Sequence, residues 1–289
     1  MSTPHIPSPM LTLMTDFGID SPYVAAMKAA IFERLPQAIV LDLTHAIAPQ
    51  DIRQGAVVWC DFTKTFPVGT VHLGVVDPDV GGNRRIIAAR CGTQYFVCPD
   101  NGLLTVILQE HAPVELVEVT EPAYWRPDVS ATFHGRDIMA PVAAAIAGRT
   151  PLAQLGRTFD ADCQPVRFSL AKPTFLATEW HLEILYADHF GNLLLNATVD
   201  ALPQSFCEYF AGHSAVEITV GNRRNNATFV RNYCQMPPGN LVLLESSSGR
   251  LELAVVNGNA LQQLSATPGD GVVVYFKDAQ KQQPGTQRA

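Results

Sequence analysis

Apolar runs along this chain end, one after another, in short knots of polar residues. Met10-Leu11-Thr12-Leu13-Met14 closes on Thr15-Asp16-Phe17-Gly18, and Ala38-Ile39-Val40-Leu41 on Asp42-Leu43-Thr44-His45. Val71-His72-Leu73-Gly74-Val75-Val76 closes on Asp77-Pro78-Asp79-Val80-Gly81, and Phe133-His134-Gly135-Arg136-Asp137 opens into an alanine-rich stretch. Short apolar runs of this kind read as buried strands. In an open α/β sheet the ligand sits beyond the carboxyl ends of the strands. The polar knots are therefore where chemistry is expected.

Between the knots the period changes to that of a helix. Asp20 or Ser21 can cap a helix whose first turn holds Pro22, with Val24, Met27, Ile31 and Leu35 at helical spacing and Pro36 ending the run. Asp51 to Thr65 is a second helix, with Ile52, Ala56, Trp59, Cys60 and Thr63 on one side. Thr70 to Val76, Ile86 to Arg90 and Gln94 to Cys98 are strands; Pro99 to Gly102 is a turn, and Leu103 to Glu110 a short helix. Ile138 to Ala147 is a helix of small residues closed by Gly148. Such alternation predicts a mainly parallel sheet with helices on both faces.

After Gly148 the pattern breaks. Pro151, Pro165 and Pro173 punctuate a connecting stretch, and beyond it short strand signals are separated by Gly221-Asn222, Pro237-Pro238-Gly239, Ser248-Gly249 and Pro268-Gly269-Asp270-Gly271. The strands are expected at His181 to Ala187, Leu193 to Asn196, Ala215 to Val220, Leu241 to Glu245, Leu251 to Val256 and Val272 to Lys277. The reading is an α/β domain at 1–158, a linker at 159–178 and an antiparallel, barrel-like β domain at 179–289, with a frayed polar tail from Ala279.

Composition narrows the function. The 289 residues are 47% hydrophobic and 16% charged, with a net charge of −7. Basic residues cluster only in pairs such as Arg84-Arg85 and Arg223-Arg224, so no nucleic-acid footprint is present. Six scattered cysteines without Cys-x-x-Cys spacing, and no signal-like N-terminus, predict a reducing, cytoplasmic setting. No run reaches the ~20 apolar residues a membrane helix requires. No Gly-x-Gly-x-x-Gly follows the first strand.

Seen singly, the polar residues are ambiguous. Asp16 is more often a turn residue than a ligand, Arg84 and Arg85 read as solvated charges, and Arg136-Asp137 as an ion pair at a helix start. His45 reads as a structural, hydrogen-bonded histidine. In order, however, TDFGIDSPYVAAMKAAI (Thr15 to Ile31), DLTHAIAPQDIRQGA (Asp42 to Ala56), VVDPDVGGNRR (Val75 to Arg85), PDNGLLT (Pro99 to Thr105), FHGRDIMAPVAA (Phe133 to Ala144), DHFGNLLLN (Asp188 to Asn196) and SSSGRLELAVVNGNA (Ser246 to Ala260) resemble the S-adenosyl-L-methionine (SAM) hydroxide adenosyltransferases, or SAM hydrolases, relatives of the SAM-dependent fluorinase and chlorinase.

The resemblance implies SAM plus water giving adenosine and L-methionine, with SAM as substrate and no cofactor or metal. It implies a homotrimer whose active sites lie between the N-terminal domain of one subunit and the C-terminal domain of the next. It places the reacting set on Asp77, Arg84 and His134 and the ribose carboxylate on Asp16. Asp188 would hold the methionine amine, Asn192 the adenine, and Tyr233 would stack on it. Ser247 and Ser248 fall near the methionine carboxylate, and Asn257 joins the substrate contacts. The halogenating relatives carry an aromatic residue where this chain has Asp77, a serine at Gly135 and a tryptophan at Gln50, while Asp79 replaces a family glycine. A carboxylate at Asp77 repels halide and favours water. The other readings weighed are a halide-using adenosyl transferase, a metal-dependent hydrolase built on Asp16, Asp20, His45, Asp77 and His134, and a SAM or adenosine sensor without turnover.

Overall fold

The computed structural model describes residues 9–160, 163–203 and 215–276. Cys207 and the tail from Ala279 lie outside them. The chain divides into two compact units that meet at Phe168/Ser169.

The first unit follows the alternation of the sequence: β1 (Met10–Thr15), α1 (Pro22–Arg34), β2 (Ile39–Thr44), α2 (Ile52–Thr63), β3 (Val71–Val75), β4 (Ile86–Cys91), β5 (Gln94–Pro99), α3 (Thr105–Glu110), β6 (Pro113–Val119), α4 (Ala140–Ala147) and β7 (Gly156–Thr158). The strands form one sheet in the order β2-β1-β3-β5-β4-β6-β7. Pairings from β2 to β5 are parallel, and those of β4 with β5 and β6, and of β6 with β7, are antiparallel. β6 thus runs with β1, β2, β3 and β5, and only β4 and β7 oppose them, which makes the sheet mixed but mostly parallel.

The helices start where their caps dictate. The Ser21 side chain accepts from Tyr23 N with Pro22 in the first turn of α1, and Asp51 accepts from Gln54 N at 2.8 Å at the head of α2. Each such cap contributes about 1 kcal/mol. α1 and α4 bury Met27, Ile31, Val142 and Ile146 against Leu11, Leu13, Leu73 and Val75. On the other face α2 packs so close that a Cβ on Gly74 would meet Trp59 at 3.0 Å, and Trp59 sets its ring edge-on to Phe96 at 5.3 Å. Strands covered on both sides need continuous apolar runs, as β1 and β3 have.

Two strands of this unit escape the sequence pattern. In β6 the adjacent apolar pair Leu116-Val117 breaks the alternation of Val114-Glu115-Leu116-Val117-Glu118-Val119, and β7 is only three residues long. The helix expected from Ile138 is instead a π-helical turn, Gly135–Met139, running into α4.

The second unit holds β8 (Thr174–Phe175), β9 (Glu179–Ala187), β10 (Leu193–Thr198), β11 (Ala215–Val220), β12 (Arg223–Phe229), β13 (Leu241–Glu245), β14 (Arg250–Val255), α5 (Ala260–Leu264) and β15 (Gly271–Tyr275). The order β10-β14-β13-β12-β11-β15-β9 closes through a β9–β10 pairing into a seven-stranded barrel, with β8 added on β9. Trp180, Phe229, Leu243, Leu253 and Phe276 fill its interior. One correction applies to the antiparallel expectation: β12 and β13 pair in parallel, because residues 230–240 intervene where a hairpin turn would reverse the chain. Among the described residues no helix is long and apolar enough to cross a membrane.

Gly81 has a φ of +81°, and a Cβ there would lie 2.2 Å from Ala131 O. The Asp77–Arg85 loop is thereby pressed against the loop before His134. Gly81→Ala is expected to cost about 2 kcal/mol or more, from left-handed strain plus a backbone clash. Urea denaturation measures it, and an unchanged midpoint would remove this contact from the account.

Candidate active site

β1 and β3 are neighbours in register, Thr15 opposite Val75, and they end side by side. Asp16 and Asp77 therefore emerge from adjacent carboxyl ends. The chain leaves β1 towards β2 on one side and returns through α2 to β3 on the other. That reversal of strand order is where open sheets bind ligands.

Asp77 is clasped by Arg84. The guanidinium Nε donates to Oδ1 at 2.9 Å and to Oδ2 at 3.0 Å, and Nη2 donates to Oδ2. The side chains are only 7% and 3% exposed, so this is a buried pair and not the solvated charge that Arg84 alone suggests. Nη1 of Arg84 has no partner among the described residues. His134 opens the π-helical turn, and a Cβ on the next residue, Gly135, would lie 3.5 Å from Val75 Cγ1. That contact brings His134 to the end of β3. Its Nδ1 is buried and takes no hydrogen bond among the described residues. Burial lowers the pKa of His134 and the positive charge of Arg84 lowers it further, against the opposing pull of Asp77 and Asp137. The ring is a neutral base at pH 7.

Asp16 is anchored through one oxygen, Oδ2, which accepts from Gln50 N at 2.8 Å. Gln50 holds a left-handed φ of +65° to make that contact. Phe17, Tyr23 and Phe133 form an edge-on aromatic trio beside Asp16 and His134, with centroids 5.2 to 6.0 Å apart. Asp79 is exposed and lends its carbonyl to Gly82 N, so the turn forms with aspartate in place of glycine. Arg136 and Asp137 form the expected ion pair, and Asp137 also accepts from Ser130 N.

In the second unit, Asp188 organises its own loop. Oδ1 accepts from Phe190 N and Asn192 N, both at 2.9 Å, and Oδ2 from Asn192 Nδ2 at 3.2 Å. Gly191, φ +83°, lies flat against the Asn259 side chain. The Tyr233 hydroxyl donates to Glu252, which sits on β14 opposite Leu194 of β10. Glu252 is 4% exposed. Burial pushes its pKa up; the Tyr233 hydrogen bond opposes the rise and the Asp188 charge adds to it. Ser247 and Ser248 occupy the β13–β14 turn, where Ser248 meets Ser246 at 3.0 Å, and Asn257 lies beyond the other end of β14. Six residues of strand, about 20 Å, separate these ends.

The structure thus gathers Asp16, Asp77, Arg84 and His134 at one sheet edge of the first unit. It gathers Asp188, Asn192 and Tyr233 in the second, and spreads the serines and Asn257 along β14. Sequence reasoning missed Glu252, whose signal was a lone carboxylate inside the apolar run Leu251 to Val256. Among the described residues no group of three or more His, Cys, Asp or Glu is placed to hold a metal.

Comparison with known proteins adds to this geometry. Residues 11–156 match the family described as SAM hydroxide adenosyltransferase N-terminal domain, and residues 182–273 its C-terminal domain. The chain is 36% identical over 267 residues to the (R)-S-adenosyl-L-methionine hydrolase of Salinispora arenicola, covering 91% of this chain and 96% of that one. It is 30% identical over 223 residues to the fluorinase of Nocardia brasiliensis, covering 68% and 73%. The crystal structure of an uncharacterized conserved protein from Thermotoga maritima superposes with a TM-score of 0.86 at 33% identity, covering 92% of this chain and all of that one.

Proposed function

This chain belongs to the SAM hydroxide adenosyltransferase family, and on that premise we propose that Asp77, Arg84 and His134 drive water onto the ribose 5′-carbon of its substrate. The activity is that of an (R)-SAM hydrolase. SAM is cleaved to adenosine and L-methionine. The observation that carries the residue assignment is the buried Asp77–Arg84 clasp at the end of β3, beside a histidine whose buried ring nitrogen is unpaired.

The chemistry suits these groups. The leaving sulfur departs as a neutral thioether, so no negative charge develops there for a metal or oxyanion hole to stabilise. Only a nucleophile is lacking. Arg84 is a permanent cation and favours the hydroxide form of a water held at Nη1. Asp77 fixes the plane of the guanidinium and accepts a hydrogen bond from the water. The water oxygen bonds to C5′, the C5′–S electron pair stays on sulfur, and the water proton passes to His134. In-line orientation contributes roughly 7–11 kcal/mol in well-placed reactions. Asp16 would hold the ribose hydroxyls, Asp188 the methionine amine, Asn192 and Tyr233 the adenine, and Ser247, Ser248 and Asn257 the remaining polar groups. A homotrimer with interfacial sites belongs to the same proposal, and light scattering checks it.

Turnover of SAM in ¹⁸O-water, followed by mass spectrometry, tests the bond that forms. Label is expected in the adenosine 5′-hydroxyl and none in methionine. Label in methionine would overturn attack at C5′, and intact SAM would leave the sensor reading.

A further inference from the structure

Behind Asp16 runs a line of polar side chains that the proposed chemistry does not use. Lys28 Nζ donates to Asp42 Oδ2 at 2.7 Å. Asp42 Oδ1 lies 3.0 Å from His45 Nε2. His45 Nδ1 meets Thr15 Oγ1 at 2.9 Å, and Thr15 Oγ1 accepts from Phe17 N at 3.2 Å. Thr15 is fully buried and His45 is 7% exposed.

The geometry points to His45 and Thr15 as positioning residues for substrate: they set the turn that aims the Asp16 carboxylate at the ribose. This rests on the assignment of Asp16 to the ribose made above.

Phe17 N can only donate, so Thr15 Oγ1 accepts from it. Oγ1 keeps a second lone pair and its own proton, so it can meet His45 Nδ1 in either tautomer of the ring. Burial opposes ionisation of Asp42, but Lys28 and His45 outweigh it and hold the carboxyl below the usual range. The contacts therefore run on from the ammonium of Lys28 on α1 through the end of β2 to the end of β1.

Its last member bends the chain. Thr15 draws Phe17 N back across Asp16, and Gly18 N donates to His45 O at 2.9 Å. Asp16 is thus held from both sides by a turn that His45 grips through ring and carbonyl alike. Plain satisfaction of two buried polar groups would need only the Thr15–His45 pair. It gives no reason for both of the following amides to be tied to the same two residues.

The experiment is a double-mutant cycle read by adenosine affinity and by SAM kinetics. Thr15→Val keeps the buried shape and removes the hydroxyl. It is expected to weaken adenosine binding and raise KM about tenfold, with kcat within about twofold and with recovery in Thr15→Ser. In an Asp16→Ala background the same change is expected to add less than about twofold, because the group it positions is gone. Full additivity, or no loss from Thr15→Val in the wild-type background, overturns the inference and leaves the ribose assignment standing. Asp16→Ala with undiminished adenosine affinity overturns the ribose assignment and the inference with it.

Discussion

Asp77→Asn is expected to lower turnover by about a hundredfold to a thousandfold, the cost typical of losing one preorganised electrostatic group. The same change strips the counter-charge from a guanidinium that is 7% exposed. Breaking a buried ion pair from one side costs roughly 3–5 kcal/mol, because the orphaned charge stays behind. The two effects separate in a second variant. Removing both partners, as Asp77→Asn with Arg84→Gln, relieves the buried charge and is expected to restore part of the stability and none of the rate. Urea melts and product formation measure each. If the double variant regains turnover, the clasp is architecture and not chemistry.

His134→Ala is expected to cost about 10² to 10⁴ in turnover, the range for loss of a general base. The wild-type pH profile carries the sharper test. Burial and the Arg84 charge depress the pKa of His134 below the free value of about 6.5. The neutral ring is the active form, so the acid limb of kcat/KM is expected below that value. His134→Ala should flatten this limb. The linked stability has the same direction: the unfolded chain binds the proton first, so the contribution is fully present above the unfolded pKa and is lost as pH falls through the folded one. An acid limb in wild type that persists unchanged in the alanine variant would assign it to another group.

The first unit was legible from its knots because parallel strands covered on both faces must be apolar throughout and must end abruptly. Asp16 and Asp77 lie directly beyond the strand ends that the pattern marked. β7 was not legible, since three residues carry no period. β12, Arg223–Phe229, was hidden because Arg223, Arg224, Asn225 and Asn226 put polar groups where the strand emerges towards solvent, leaving only Ala227 and Phe229 buried. Arg84 read alone gave only a solvated charge, and its pairing with Asp77 came with the family resemblance, because it depends on a loop closing through Gly81 onto Ala131, a contact between distant segments. Glu252 and the Thr15–His45 line share that character. Local sequence shows which groups are polar, and only the closed fold shows which of them face one another.

Arg84 and Arg85 are neighbours in the chain with separate engagements. Arg84 clasps Asp77, whereas Arg85 binds Asp100 through Nε at 2.7 Å and reaches Gln164 O at 2.8 Å. Asp100 in turn receives Val166 N. One guanidinium clasps the carboxylate beyond β3 and the next one moors the segment that leaves the sheet. Loop length is thus a hidden specificity: a single deletion between Val80 and Asn83 would bring Arg85 to the place of Arg84 beside Asp77 and Ile86 to the place of Arg85 beside Asp100, conserving every charge while unmooring that segment. The number of residues in this stretch, and not only their identity, sets which guanidinium meets which carboxylate.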